Sequence, residues 1–277
     1  MNDQTEIIEA LGVTPTFNAA QEARRRVSFL KDYLAASGLQ TYVLGISGGV
    51  DSLTAGMMAQ RAVQELRAAS YNAEFVAVRL PYGEQADERD AQAALNAIEP
   101  DRVVTVNIKA PADAMMAQVK AGGFTPVDRA QEDFLLGNIK ARQRMIAQYT
   151  LAGGMRGLVI GTDQAAEALM GFFTKFGDGA ADILPLAGLN KRRVRAIAEY
   201  FGAPANLVFK VPTADLESDA PMRPDEDAYG VTYDQIDDFL EGKPIEETAR
   251  ARIMRAYRTT AHKRALPVAA NAPAHSF

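Results

Sequence analysis

Apolar residues recur along this chain in two rhythms, and each predicts its own element. From Phe17 to Ser37, Ala23, Val27, Leu30 and Leu34 return every three or four residues behind Asn18 and Gln21, a pair that suits a helix N-cap. Shorter runs of β-branched and aromatic residues predict strands: TYVLGI at 41–46, AEFVAVRL at 73–80, RVVTVNI at 102–108, GLVIG at 157–161 and NLVFKV at 206–211. Helical patterns lie between them, most clearly at 52–68, 84–98 and 131–152. Strands separated by helix-length segments favour parallel crossovers over hairpins. The expected fold is therefore α/β: a doubly wound, mostly parallel, Rossmann-like sheet. A last helix is expected at about 244–266, where PIEETAR sets proline and two glutamates at its start.

Two stretches break the alternation. GFFTKFGDGAADILPLAG at 171–188 is apolar but punctuated by glycine and charge, and TADLESDAPMRPDEDAYG at 213–230 crowds proline with acidic residues. Both are expected to be mobile loops, and loops of this length are usually functional or disordered. Neither break argues a second domain, so 1–277 reads as one.

Composition narrows the chemistry. The 277 residues include no cysteine and only His262 and His275. Thiolate nucleophiles, thiolate metal sites and a Ser-His-Asp hydrolase are therefore poor readings, and carboxylate, lysine, arginine, hydroxyl and backbone must carry any chemistry. A net charge of −5 argues against a nucleic-acid partner. The basic clusters at Arg24, Arg25 and Arg26 and at Lys191, Arg192 and Arg193 read as solvated helix faces, apart from a role for Lys191 taken up below. No apolar run reaches the length of a membrane span, and MNDQTEIIEALG has the pattern of neither signal nor anchor. A cytoplasmic location with no membrane partner is the default expectation.

The most informative stretch is LGISGGVDSLT, 44–54. It lacks the lysine of a G-x-x-x-x-G-K-[ST] loop and the spacing of G-x-G-x-x-G. Ser47, Gly48 and Gly49 fall at the end of a predicted strand, where open α/β sheets bind ligands, and a helix is expected from about Asp51 or Ser52. Its free N–H groups and the hydroxyls of Ser47 and Ser52 suit phosphate oxygens. Asp51 would repel phosphate unless a hard cation lay between them. The alternative is a tight turn with Asp51 as an ordinary helix cap.

SGGVDS resembles the pyrophosphate loop of the adenylating ATP pyrophosphatases, proteins of the adenine nucleotide alpha hydrolase type. GISGGVDS, VRLPYGEQAD, GNIKARQRMIAQY, GTDQAAE, GFFTKFGDGAADILPL, LNKRRVR, PTADLE and HKR stand in the order and spacing of the ammonia-dependent NAD synthetases, across nearly the whole chain. The resemblance implies a ligase that transfers AMP from ATP to the nicotinate carboxylate of deamido-NAD, releasing pyrophosphate. Ammonia then displaces AMP from this NAD-adenylate. It also implies a homodimer, with the dinucleotide near its interface.

Residue by residue, the resemblance implies ATP contacts at Gly45, Ile46, Ser47, Gly48, Gly49, Val50, Asp51, Ser52, Arg79, Thr162, Lys191 and Thr213. Val50 departs from the glutamine often found there. Asp51 and Glu167 would hold magnesium; Glu167 also reads as a first-turn glutamate, and Thr162 as a cap. Arg142, Lys175, Asp182, His262 and Lys263 would meet deamido-NAD, with Asp178 near the ammonia and Lys191 on the ATP phosphates as the reacting centre. Phe172, Phe173 and Phe176 are expected to anchor their loop. His262 and Lys263 also suit a helix C-terminus.

Arg142 has an independent argument. Leu135, Ile139, Arg142, Ile146 and Tyr149 follow at steps of four, three, four and three, so the arginine sits on an apolar stripe. There it needs an anionic partner, an ion pair or a reach to water. That helix and the one at 17–36, with Tyr33, are the candidate dimer surfaces, unless each simply covers its own sheet.

Two other classes compete. Related pyrophosphatases activate a tRNA base, citrulline or xanthosine monophosphate, but the absence of cysteine disfavours tRNA thiolation, and an acidic chain disfavours an RNA module. A non-enzymatic nucleotide sensor would keep the turn but has no need of Asp51, Glu167, Arg142 and a charged loop together.

Overall fold

Strands β1 (Thr41–Gly45), β2 (Glu74–Arg79), β3 (Arg102–Thr105) and β4 (Gly157–Val159) form one parallel sheet in the order β3-β2-β1-β4 in a computed structural model, described here over residues 3–83, 88–213 and 224–267. Val43 pairs with Val76 on one side and Val159 on the other. Ahead of β1 stand α1 (Asp3–Ala10) and α2 (Ala19–Ser37), and α3 (Val50–Ala68) follows it. Then come α4 (Glu88–Ile98), α5 (Lys109–Ala121), α6 (Arg129–Gly154) and α7 (Ala165–Met170). The remaining helices are α8 (Lys191–Tyr200), α9 (Ala205–Val208), α10 (Asp225–Tyr229), α11 (Tyr233–Leu240), α12 (Glu247–Thr259) and α13 (Ala261–Arg264). No described helix is long and apolar enough to cross a membrane.

Alternating side chains of the strands fill a core on each face. Tyr42, Leu44, Phe75 and Ala77 pack with α2, α3, α4 and α8, whereas Val43, Val76, Val78 and Val159 pack beneath the α5–α6 layer. Strands covered on both faces read as the continuous apolar runs seen in the sequence. A third cluster joins α1, α7, α11 and α12. The stripe expected on α2 is buried as predicted, and Asn18 caps Gln21 N–H at 3.0 Å.

Several expectations need correction. NLVFKV is not a strand: Pro204 opens the helical turn α9, which buries Leu207 and Val208 together and leaves Phe209 and Val211 exposed. Proline fixes a φ suited to helix entry, and burial of adjacent residues does not follow a strand's alternation. Pairing beyond β4 comes instead from the expected loop at 171–188, where Ile183 bridges Ile160. The last helix is divided at Thr260 into α12 and α13. Positions 84–87 of the helix expected at 84–98, and 214–223 of the expected second loop, lie outside the described residues; α10 occupies the end of that second stretch.

Two arginines read as solvated are buried. Arg26 donates to Ala187 O at 2.9 Å and pairs with Glu22 at 3.0 Å, while Arg193 donates to Thr14 O at 2.8 Å. Their guanidiniums tie the α2 and α8 layers to loop carbonyls. The apolar stripe of α6 is only partly inward, with Leu135, Ile139 and Tyr149 half-buried and Arg142 and Ile146 exposed. Asp133, Gly137, Lys140, Ala141 and Ala152 face inward, while Phe134, Arg142 and Ile146 are exposed.

Candidate nucleotide site

The site begins where β1 ends. Ile46 N–H still bonds Val78 O at 2.9 Å, after which Ser47, Gly48 and Gly49 turn the chain into α3. Gly48 has φ +86°, and a Cβ there would lie 2.7 Å from Ala91 N, so the backbone of α4 closes the space behind the turn. Only glycine meets both demands. Ser52 Oγ donates to Gly49 O at 3.1 Å and accepts from Ser47 N at 3.3 Å, and Ser47 Oγ accepts from Gly49 N at 3.2 Å. The helix starts at Val50 with Gly49 as its N-cap, so Asp51 is not a cap. Val50 is buried against the core, which accounts for valine at that position.

Asp51 instead reaches Lys191 across the cleft. Lys191 Nζ lies 2.6 Å from Asp51 Oδ2 and 3.7 Å from Glu167 Oε1, and its side chain is 2% exposed. Lys191 occupies the first turn of α8 and Glu167 the first turn of α7, so three elements at one end of the sheet supply the three charges. Burial alone would lower the lysine, but Asp51 and Glu167 reverse that and raise it above its ordinary value. Glu167 is raised well above the usual carboxylate range, first by burial and then by Asp51, with Lys191 opposing. The buried Asp51 Oδ1 has no hydrogen-bond partner.

The cleft holds about 310 Å³ and brings together turn residues 45–47 and 49–52 with Arg79, Thr162, Glu167, Asp178, Lys191 and Thr213, whereas Gly48 backs onto α4 and does not line it. Arg79 is buried, donating to Ile46 O and pairing with Glu88 at 2.8 Å, so it braces the strand end. Thr162 is not the cap of α7, because Gln164 performs that task through Ala166 N–H at 2.7 Å.

Arg142, Lys175, His262 and Lys263 lie beside the cleft as a second group. Arg142 donates to Lys175 O at 3.2 Å, Lys175 Nζ donates to His262 O, and Lys263 Nζ donates to Gly171 O and Phe173 O at 2.9 Å. The expected loop is therefore strapped to α13. Desolvation lowers Lys263, against the pull of Asp178. Asp182 stands apart from this group at the edge of β4, accepting Val159 N–H at 2.7 Å. Asp178 accepts Thr174 N–H at 2.9 Å, and desolvation in the cleft raises its carboxyl. Phe172 packs edge-on against Tyr229 at 4.8 Å, whereas Phe176 is exposed, with the Lys175 ammonium 5.3 Å from its ring centroid.

Four cleft residues escaped the sequence reading. Gln148 accepts Gly45 N–H at 2.7 Å from the inward face of α6, a face hidden by the stronger apolar stripe. Lys210 pairs with Asp90 at 2.6 Å, and Asp225 accepts from Tyr233 OH at 2.9 Å. Asp163, inside GTDQAAE, is pushed up to about 7 by burial and by the charges of Asp178 and Asp51. Its raised value means the folded state holds a proton that the unfolded state has released between about pH 4 and 7. This carboxyl therefore lowers stability as pH rises through that window. Asp163→Asn is expected to stabilise the protein by ~1–2 kcal/mol at about pH 8, after allowance for solvent access, and not at about pH 4. Urea unfolding at both pH values checks this; equal effects at the two would refute the shift.

A glycine turn at the carboxyl ends of parallel strands, faced by a buried lysine and two carboxylates, defines a nucleotide-binding α/β protein. Comparisons with known proteins narrow the class. The family model for NAD synthase matches residues 22–267. An NH(3)-dependent NAD(+) synthetase of Burkholderia pseudomallei is 61% identical over 261 residues, covering 94% of this chain and 92% of that protein. The crystal structure of NAD+ synthetase from the same organism superposes with a TM-score of 0.83 at 59% identity, covering 95% of this chain and 96% of that one. The structure of NMN synthetase from Francisella tularensis gives 0.80 at 34% identity, with 92% and 100% covered. The chain belongs to the NAD synthase family.

Proposed function

We propose that the chain is an ammonia-dependent NAD synthetase, a ligase that makes NAD from deamido-NAD, ATP and ammonia. The carrying observation is Lys191 held by Asp51 and Glu167 at the glycine turn, in a chain 61% identical to a protein of that name. A carboxylate is a poor electrophile and must approach an anionic nucleotide, so cations matter more here than a strong base. The nicotinate carboxylate attacks the α-phosphorus of ATP and pyrophosphate departs. Ammonia then attacks the acyl carbon of the NAD-adenylate and AMP leaves.

The residues take their parts as follows. N–H groups and hydroxyls of the 45–52 turn receive the phosphates, and Lys191 offsets charge as pyrophosphate forms. Arg79 and Thr162 border the nucleotide, and Thr213 closes its far side. The unpartnered Asp51 Oδ1 and the neighbouring Glu167 fit a hard divalent cation. Magnesium commonly takes only one or two carboxylates plus substrate phosphates, and it would supply neutralisation of phosphate charge. Arg142, Lys175, His262 and Lys263 receive deamido-NAD, and Asp182 meets it separately, from the edge of β4. Asp178 attracts ammonium and accepts a proton as ammonia attacks.

Incubation with ATP, deamido-NAD and ammonium should yield NAD and pyrophosphate in equal amounts. Nicotinate mononucleotide should react at least ~10-fold less efficiently. Preference for the mononucleotide would overturn the dinucleotide assignment. Arg142→Ala should raise the KM for deamido-NAD more than that for ATP, and equal increases would give Arg142 a scaffold role.

We also infer a homodimer through α5 and α6. Met115, Val119, Phe134 and Ile146 are exposed on these neighbouring helices, and Arg142 stands among them. The other candidate surface, with Tyr33 6.3 Å from Phe29 on α2, is also exposed and lies on the opposite face of the sheet. Sedimentation should report twice the chain mass. On this reading each deamido-NAD site uses residues from both chains, so mixed Asp51→Ala and Arg142→Ala chains should be more active than either variant alone, and an active monomer would refute such a shared site.

A further inference from the structure

Lys191 is the most buried cation of the cleft, and two carboxylates do not by themselves fix its direction. Its ammonium also lies 4.8 Å from the ring centroid of Tyr233. That ring is itself held at several points. Tyr233 OH donates to Asp225 Oδ2 at 2.9 Å, Tyr233 N–H donates to Glu226 Oε1 at 2.6 Å, and Tyr229 packs edge-on at 5.7 Å. Tyr233 is 3% exposed, so the contact is made away from water.

The same helix fixes the lysine's backbone. Asp237, four residues after Tyr233 and so on the same face of α11, accepts Lys191 N–H at 3.1 Å and Arg192 N–H at 2.7 Å. One helical face thus sets both the start of α8, through Asp237, and the far end of the Lys191 side chain, through Tyr233. An aromatic face attracts a cation most strongly where water is excluded, and it competes for none of the carboxylate oxygens.

We infer that Tyr233 is a positioning residue, whose ring face holds the Lys191 ammonium toward Asp51 and the ATP phosphates. This rests on the reading of the cleft as the ATP site. The ring performs the task, while the hydroxyl serves to seat the ring against Asp225. Sequence alone conceals this because Tyr233 opens an amphipathic helix behind a capping box of Thr232 and Gln235, where it reads as ordinary core.

The test compares Tyr233→Phe, which keeps the ring, with Tyr233→Leu, which removes it, using pyrophosphate release with deamido-NAD and ATP. Tyr233→Leu should lower kcat by about 10- to 30-fold, with the KM for deamido-NAD changed less than about twofold. Tyr233→Phe should stay within about threefold of the parent. If Tyr233→Leu does not fold, Tyr233→Met, closer to it in volume, takes its place against Tyr233→Phe. Equal losses in Phe and in the aliphatic variant, an unchanged kcat in the latter, or parallel increases in both KM values would overturn the inference. An inactive parent would instead defeat the ATP-site reading, so the two failures are distinct.

Discussion

Lys191→Met is expected to give a folded protein whose kcat for NAD formation falls by about 100- to 1,000-fold, the range seen when one preorganised charge-stabilising group is removed. Methionine matches the apolar stem of lysine and fills most of the space between α8 and Tyr233. It leaves no cation against Asp51 and Glu167, which lie 2.6 and 3.7 Å from the ammonium in the parent. The stability of the variant should depend on pH in a defined sense. Glu167 is already raised by burial and by Asp51, and losing Lys191 removes the opposing influence. A carboxyl raised in the folded state is better tolerated when protonated, so the stability deficit should grow as pH rises above about 4.5. Urea unfolding at about pH 5.5 and 8 reads this, and pyrophosphate release reads the rate. A rate within threefold of the parent, or a deficit larger at the lower pH, would refute the assignment.

Asp51→Ala removes the other member of the pair and should cost at least ~100-fold in pyrophosphate release. The affinity for deamido-NAD should change less than about threefold, because the residues proposed to hold it lie on α6, α13 and the 171–188 segment. Two losses combine in this variant. The orphaned Oδ1 can no longer meet a cation, and of its two ion pairs Lys191 keeps only the longer one, to Glu167. Breaking a buried ion pair leaves a charge uncompensated, here partly relieved by Glu167, so about 1–3 kcal/mol of stability should also go. Equilibrium dialysis with deamido-NAD separates the two effects. Near-parental pyrophosphate release would refute the carboxylate's role.

The strands at 41–46, 73–80 and 157–161 were legible because a strand buried on both faces must be apolar at nearly every position, whereas the edge strand at 102–108 is largely exposed and was legible through its β-branched residues alone. NLVFKV shows the weakness of the same rule. A short helical turn that buries Leu207 and Val208 presents the same composition, and only Pro204 hinted at the difference. For α6 the period was right but its destination only partly so. Periodicity locates an apolar face without saying what covers it, and the polar face carrying Gln148 turned inward to the cleft.

By itself the sequence determined the α/β alternation, the glycine turn and the family motifs, because these depend on neighbours along the chain: strand period, positive φ at Gly48 and the opening of α3. It did not determine which charges meet. Asp51 and Lys191 are separated by 140 positions, and Asp225 and Tyr233 bear no local mark of a site. Their proximity follows from parallel crossovers, which return successive strand ends to one side of the sheet and bring α7, α8 and α11 together there. Burial at that junction raises Glu167, while the carboxylates that distant elements bring beside Lys191 outweigh its burial and raise the lysine.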